Sequence, residues 1–145
     1  MRSHARLPAA LRADCSRCAA LCCVAPAFYR VQGFGFDKPA RVPCRHLTTS
    51  NRCGIHGQRL ERGFAACDGF DCYGAGQRVT KELCGNVDWR QSAESALRVF
   101  AAYEACLALH RLMATLTVAA ALSMPKLRAR LRLKRMQLNR LCRSE

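Results

Sequence analysis

Acidic side chains are scarce in this sequence, 10 against 24 Lys and Arg over 145 residues. The carboxylates are also scattered. Asp68, Asp71 and Asp88 stand singly, with no pair spaced for general acid–base work. Long apolar runs are missing as well. The longest uncharged apolar stretch, Leu112 to Met124, has 13 residues, short of the roughly 20 that span a bilayer. The basic start, Met1-Arg2-Ser3-His4-Ala5-Arg6, is not followed by an apolar run of signal-peptide length. These absences predict a cytoplasmic protein without a transmembrane segment. No internal repeat or low-complexity segment breaks the chain, whose length suits one domain with one ordinary core.

Glycine and proline are absent from Ser92 to Leu122 but frequent before it. Residues 14–90 are punctuated by Gly33-Phe34-Gly35, Lys38-Pro39, Val42-Pro43, Cys53-Gly54, Asp68-Gly69 and Gly74-Ala75-Gly76, which predict turns and short helices. From Ser92 the apolar residues Leu97, Phe100, Ala101, Ala105, Leu107, Ala108, Leu112, Leu116 and Ala119 recur near a helical period. Ser92 is a suitable N-cap, with Ser95 in the position where a capping box would carry Glu. Pro125 interrupts, and a second helix is predicted from Lys126 to Leu141, with Leu127, Leu131, Leu138 and Leu141 on one face and most arginines off it. The expected architecture is mostly α with irregular loops. A leader (1–13) precedes a metal-stapled cysteine-rich module (14–90), and a helical hairpin with a basic second helix (91–145) follows, the whole forming one compact domain. Metal, rather than a large core, is expected to hold the module together.

What is abundant is cysteine. Eight of 11 fall between Cys15 and Cys72: Cys15, Cys18, Cys22, Cys23, Cys44, Cys53, Cys67 and Cys72. In a reducing compartment such a density is read as ligands rather than disulfides; a secreted disulfide scaffold is the competing reading, without a signal sequence to support it. Zinc and iron–sulfur centres both take soft ligands in sets of four, and the turn inside Cys15-x2-Cys18 aims both sulfurs the same way. Cys22 and Cys23 are adjacent, so their side chains diverge and do not readily serve one tetrahedral ion. Eight thiolates suffice for two four-ligand sites or one shared cluster, and the divergence favours a site built from both the 15–23 and the 44–72 groups. His46 and His56 lie close to cysteines as ligands or supports. Cys106 falls on the predicted helix face as core, while Cys84 and Cys142 stand outside the cluster. Zinc is the leading ion, because it suits reduced thiolates and needs no assembly machinery; iron or an iron–sulfur cluster is the alternative.

The run Cys15-Ser16-Arg17-Cys18-Ala19-Ala20-Leu21-Cys22-Cys23 resembles the opening of the zinc- or iron-chelating cysteine-cluster proteins, the YkgJ-like family. Pro43-Cys44-Arg45-His46-Leu47, then Arg52-Cys53-Gly54-Ile55-His56 and Arg59, are similar to the later elements of that family. His56 stands where a tyrosine is usual, and the first cluster is one residue longer than the common form. Asp37-Lys38-Pro39, Gly63-Phe64 and Phe70-Asp71-Cys72-Tyr73-Gly74-Ala75-Gly76-Gln77 are similar to an actinobacterial-type branch, whose members often carry pentapeptide repeats after the helical region. The resemblance covers about residues 14–90. It implies metal chelation by the eight cysteines and no settled reaction.

Three functions stay open. The first is a metal-binding protein that is not an enzyme. The second is a metal-stabilised regulator that holds nucleic acid, or an acidic protein, through the basic residues from Lys126 to Arg143. The third is an iron–sulfur or metal-dependent redox enzyme. The basic tail lacks interleaved aromatics for base stacking, so any nucleic-acid contact there would be mainly to phosphate. Gly74-Ala75-Gly76 lacks the strand–turn–helix setting of a nucleotide loop and is expected to be a tight turn near the metal site.

Overall fold

The structure, a computed structural model, describes residues 7–122 and 125–141. It is mostly helical, and among the described residues there is no strand, only two isolated bridges, Phe28 with Lys38 and Leu47 with Cys53. Residues 9–58 run through short 3₁₀ turns, Ala9–Leu11, Cys15–Arg17, Leu21–Cys23, Arg30–Gln32 and His56–Gln58. Four α-helices follow: α1 (Ala65–Gly69), α2 (Ala75–Arg78), α3 (Ala93–Leu122) and α4 (Pro125–Leu141). A π-helical turn, Val79–Leu83, extends α2.

The last two helices form the expected hairpin. Ser92 caps α3 as predicted: its Oγ accepts from the Ser95 amide at 3.0 Å and lies 3.0 Å from the Ser95 hydroxyl, satisfying one of the helix's open N–H groups. Pro125 opens α4, where its fixed φ suits a first helical position. The hairpin is antiparallel: Leu138 packs near Leu109 and Met113, while Arg128, earlier in α4, donates from Nε to the Ala120 carbonyl at 3.1 Å. That carbonyl lies in the last turn of α3, where a cation is favoured.

Which faces pack differs from the expectation. On α3 the buried side chains are Val99, Phe100, Tyr103, Cys106, Leu107, His110, Met113, Ala114 and Ala120. Leu97 and Leu112 are exposed, as are Ala101, Ala105 and Ala108. Apolar residues surround this helix on all sides, so periodicity alone did not select its inner face, and two polar residues, Tyr103 and His110, lie on it. On α4 the half-buried positions are Arg128, Leu131, Arg135, Leu138 and Asn139. Leu127 and Leu141 are exposed, and two arginines take the packing face instead. By length and composition α3 could also cross a membrane, a test that the core helix of a globular fold passes equally.

Three apolar clusters organise the chain. The largest joins Leu21, Val24 and Val79 to Trp89, Val99, Phe100 and Tyr103. Trp89 closes the module against the hairpin: its ring meets Phe100 at 5.5 Å and its Nε1 donates to the Ala19 carbonyl at 3.2 Å. A second cluster seats Leu7 and Leu11 of the leader on Met113 and Ala114 of α3. The third lies inside the cysteine-rich module. Phe28, Phe34, Phe36, Ile55 and Phe64 are buried there, with Phe28 and Phe34 stacked at 4.9 Å and Phe64 edge-on to Phe34 at 4.8 Å. The module therefore has a small aromatic core of its own, which the sequence reading did not include. Phe34→Ala is expected to destabilise the metal-free protein by about 3–5 kcal/mol in denaturant unfolding; a loss below about 1 kcal/mol would mean that this core contributes little without metal.

Candidate metal centre

The adjacent cysteines are placed by a strained turn. Ala20 adopts the left-handed region, φ 56° and ψ 35°, just before the Leu21–Cys23 turn, a conformation that a small side chain tolerates better than a branched one. A 3₁₀ turn has three residues per revolution, so the Cys22 and Cys23 side chains leave the backbone roughly 120° apart. Their sulfurs are nonetheless close enough to share a hydrogen bond, and both line the space that also holds Cys44, Cys53 and Cys67.

The first set is Cys15, Cys18 and Cys72. An ideal Cβ on Gly76 would lie 2.6 Å from the Cys18 sulfur and 3.8 Å from the Cys72 sulfur, so Cys18 crowds this point on α2 and Cys72 lies at ordinary contact distance from it. The Gly76 residue is needed there for space. Gly74 is needed for conformation, with φ +80° and the Ala10 carbonyl against its α-carbon. Gly74-Ala75-Gly76 thus turns the chain into α2 and leaves room for Cys18. The Cys15–Arg17 turn is clamped from outside by Arg52, which donates to the carbonyls of Cys15 at 2.8 Å, Ser16 at 2.9 Å and Cys18 at 3.3 Å. Arg52 immediately precedes Cys53, so the clamp ties the first turn to the second set.

That second set lines a small enclosed space: Cys23, Cys44, Cys53 and Cys67, with Cys22, Lys38, His46 and Arg59 around them. Cys44 is held to the adjacent pair by its amide, which donates to the Cys23 carbonyl at 2.9 Å. His46 stacks edge-on against Phe64 at 5.2 Å, whereas His56 is exposed and does not line this space. Cys22 stands between the sets: its charge would oppose ionisation of Cys15, Cys18 and Cys72 on one side and of Cys67 on the other.

The thiols are unfavourable as free anions. Burial pushes Cys18 up to about 12 and Cys67 up to about 11. Burial also raises Cys15, Cys44 and Cys72, and a hydrogen bond with Cys23, followed by burial, raises Cys22 well above the ordinary value. Local donors work the other way. The backbone amides of Leu21, His46, and Gly74 with Gly76 favour the charged forms of Cys18, Cys44 and Cys72 respectively. Among the described residues no three His, Cys, Asp or Glu side chains are gathered closely enough to hold an ion as they stand. Closing four sulfurs on one point therefore requires their side chains to rotate and their protons to leave.

Two cations border the sets. Lys38 is 1 % exposed, and its Nζ donates to the carbonyls of Val24 at 2.9 Å, Val42 at 2.9 Å and Pro39 at 3.2 Å. All three of its N–H bonds are spoken for, and the ionisable groups that favour its charge are Cys44, Cys23 and Cys22. Arg59, held by Asp68 at 2.9 Å, favours thiolate at Cys15, Cys22 and Cys67. Sequence reasoning did not single out Lys38 as part of this region; the resemblance contained it within Asp37-Lys38-Pro39 without a role. Of the remaining cysteines, Cys84 and Cys106 are buried in the main core, and Cys142 lies outside the described residues. No disulfide forms among the described cysteines.

The chain is similar to the uncharacterized protein YybG of Bacillus subtilis, 39 % identical over 103 residues, which is 71 % of this chain and 37 % of that protein. The chain thus spans little more than a third of the relative's length. No protein-family model matches the sequence, and no solved structure matches the fold.

Two outcomes follow from this geometry. Gly76→Ala is expected to cost about 1–3 kcal/mol through overpacking against Cys18 and to change the reactivity of the Cys18 thiol, while Gly69→Ala, with open space around it, should do neither. Because the folded thiols are raised above their ordinary value of 9.0, the unfolded chain loses protons first as pH rises. Stability of the metal-free protein is therefore full below about pH 8 and falls above about pH 9. Lys38, lowered by burial, opposes this with one group against several. A denaturation midpoint that rises from about pH 8 to about pH 10 would contradict the assignment.

Proposed function

We propose that this chain is a zinc- or iron-chelating cysteine-cluster protein that holds its metal through two linked thiolate sets. The observation that carries the reading is the burial of Lys38 beside Cys22, Cys23 and Cys44. A buried ammonium is costly unless negative charge lies near it. Neutral thiols supply none, whereas a divalent ion with four thiolates carries a net charge of about −2. Lys38 and Arg59 are then the counter-charges of a metal–thiolate centre. The amides aimed at Cys18, Cys44 and Cys72 fit the same anionic state.

The donor set suits the ion. Cys15, Cys18, Cys72 and Cys22 would form one four-sulfur site, and Cys23, Cys44, Cys53 and Cys67 the other. Zinc is the leading occupant, since an all-thiolate set suits it without redox chemistry; iron is the alternative. The metal would supply folding energy and fix residues 15–23 to residues 44–76. The resemblance to the YkgJ-like family, including its actinobacterial-type branch, supports the same reading. A redox enzyme is the weaker alternative.

The second reading, a nucleic-acid or acidic-protein binder, is favoured by Arg130, Arg132, Lys134 and Arg140, which are exposed on α4. They offer phosphate contacts, and their binding would weaken steeply with salt. Arg143 lies outside the described residues.

Metal analysis of anaerobically purified protein tests the main reading. Two ions per chain are expected, with Cys72→Ser and Cys44→Ser each losing one and keeping the other. An ultraviolet–visible spectrum separates featureless zinc from coloured iron–sulfur. One ion in the parent protein would overturn the two-site arrangement, and none would overturn the proposal.

A further inference from the structure

Tyr103 of α3 is 1 % exposed and lies in the core that joins the cysteine-rich module to the hairpin. Its hydroxyl is buried without a hydrogen-bond partner. A buried O–H left unpaired costs stability, and a core ring without the hydroxyl would avoid that cost. Cys18 and Cys72 pack against the same core, and Leu21 and Val24, which bracket Cys22 and Cys23, belong to it. Burial, and then negative charge on Cys22, Cys72 and Cys18, would keep the hydroxyl protonated, with Arg111 opposing them. The orphaned group is therefore a donor, set among thiols of the first set.

A neutral thiol and a metal-bound thiolate treat such a donor differently. Thiol sulfur is a weak acceptor. A bound ion takes the thiol protons away, and the charged sulfur then accepts strongly. Of the three sulfurs, Cys18 is already served by the Leu21 amide and Thr80, and Cys72 by the Gly74 and Gly76 amides. Cys22 has its own amide and is engaged with the Cys23 thiol. It is also the thiol whose charge bears most on Tyr103.

We propose that Tyr103 is a positioning residue of the metal centre: when the thiols bind an ion, its hydroxyl donates to the Cys22 thiolate and holds that sulfur in the site of Cys15, Cys18 and Cys72. This role rests on the two-site metal reading and adds what assigns Cys22, which also lines the space of the second set. It ties α3 to the metal as well, since the hydroxyl is satisfied only in the loaded protein.

Tyr103→Phe keeps the ring and removes the hydroxyl. The full chain, made metal-free, is titrated anaerobically with zinc against a competing chelator, in the Cys44→Ser background for the first site and the Cys72→Ser background for the second. Tyr103→Phe should weaken zinc about tenfold or more in the first background and leave the second unchanged. With cobalt in place of zinc, the thiolate-to-metal absorption of the first site should move to lower energy, because a thiolate without its hydrogen bond gives up charge more easily. In the metal-free protein the sign reverses: Tyr103→Phe should unfold about 2–4 °C higher than the parent. Tyr29→Phe, at an exposed position, should do none of this. Zinc held as tightly by Tyr103→Phe as by its background would overturn the role of Tyr103 and leave the metal reading intact. So would equal weakening in both backgrounds, or a metal-free variant less stable than the parent, which would mean that the hydroxyl has a partner without metal. A parent protein that takes up no metal would overturn both.

Discussion

Buried thiols placed side by side cannot all ionise unless positive charge comes among them, and this constraint governs the cysteine-rich module. Each thiolate raises the cost of the next, and burial raises the cost of all. Lys38 and Arg59 are fixed at the edge of the sets, and backbone amides at Leu21, His46, Gly74 and Gly76 point toward individual sulfurs. These contributions lower the cost of ionisation without removing it. A bound cation would supply the remainder, which is why we propose a metal centre here rather than a group of inert core cysteines.

The rest of the fold positions those sulfurs. The aromatic cluster around Phe34 and Phe64 backs the second set, and α2 with Gly76 backs the first. Arg52 joins them by holding the Cys15–Arg17 turn from the residue next to Cys53. The hairpin presents Val99, Phe100 and Tyr103 of α3 to the module, and Trp89 completes the seam. The basic α4 leans on α3 through Leu138, Arg128 and Arg135 and reaches Arg78 at the end of α2 through Asn139.

Much of the coarse plan was legible in the residues. A stretch free of glycine and proline, capped by Ser92 and broken at Pro125, makes two helices because local backbone preferences suffice to start and stop them. The inner face of α3 was not. With apolar residues all round it, the choice fell to shape complementarity, which put Tyr103 and His110 inside and left Leu97 and Leu112 outside. Nor was the aromatic cluster of the module apparent, because Phe28, Phe34, Phe36 and Phe64 are scattered among turns with no period to mark them.

The sequence by itself determined that this is a largely helical chain with a thiol-rich, turn-rich front and a basic back, since composition, spacing and helix punctuation are local properties. Only the tertiary structure decided how the thiols divide. Cys72 lies with Cys15 and Cys18 because α2 brings Gly76 against Cys18, and Cys22 and Cys23 both line the space shared with Cys44, Cys53 and Cys67. The same folding buried Lys38 beside Cys22, Cys23 and Cys44 and set His110 against the Tyr73 carbonyl. Such pairings between distant residues depend on which surfaces fit together, and spacing along the chain does not contain that information.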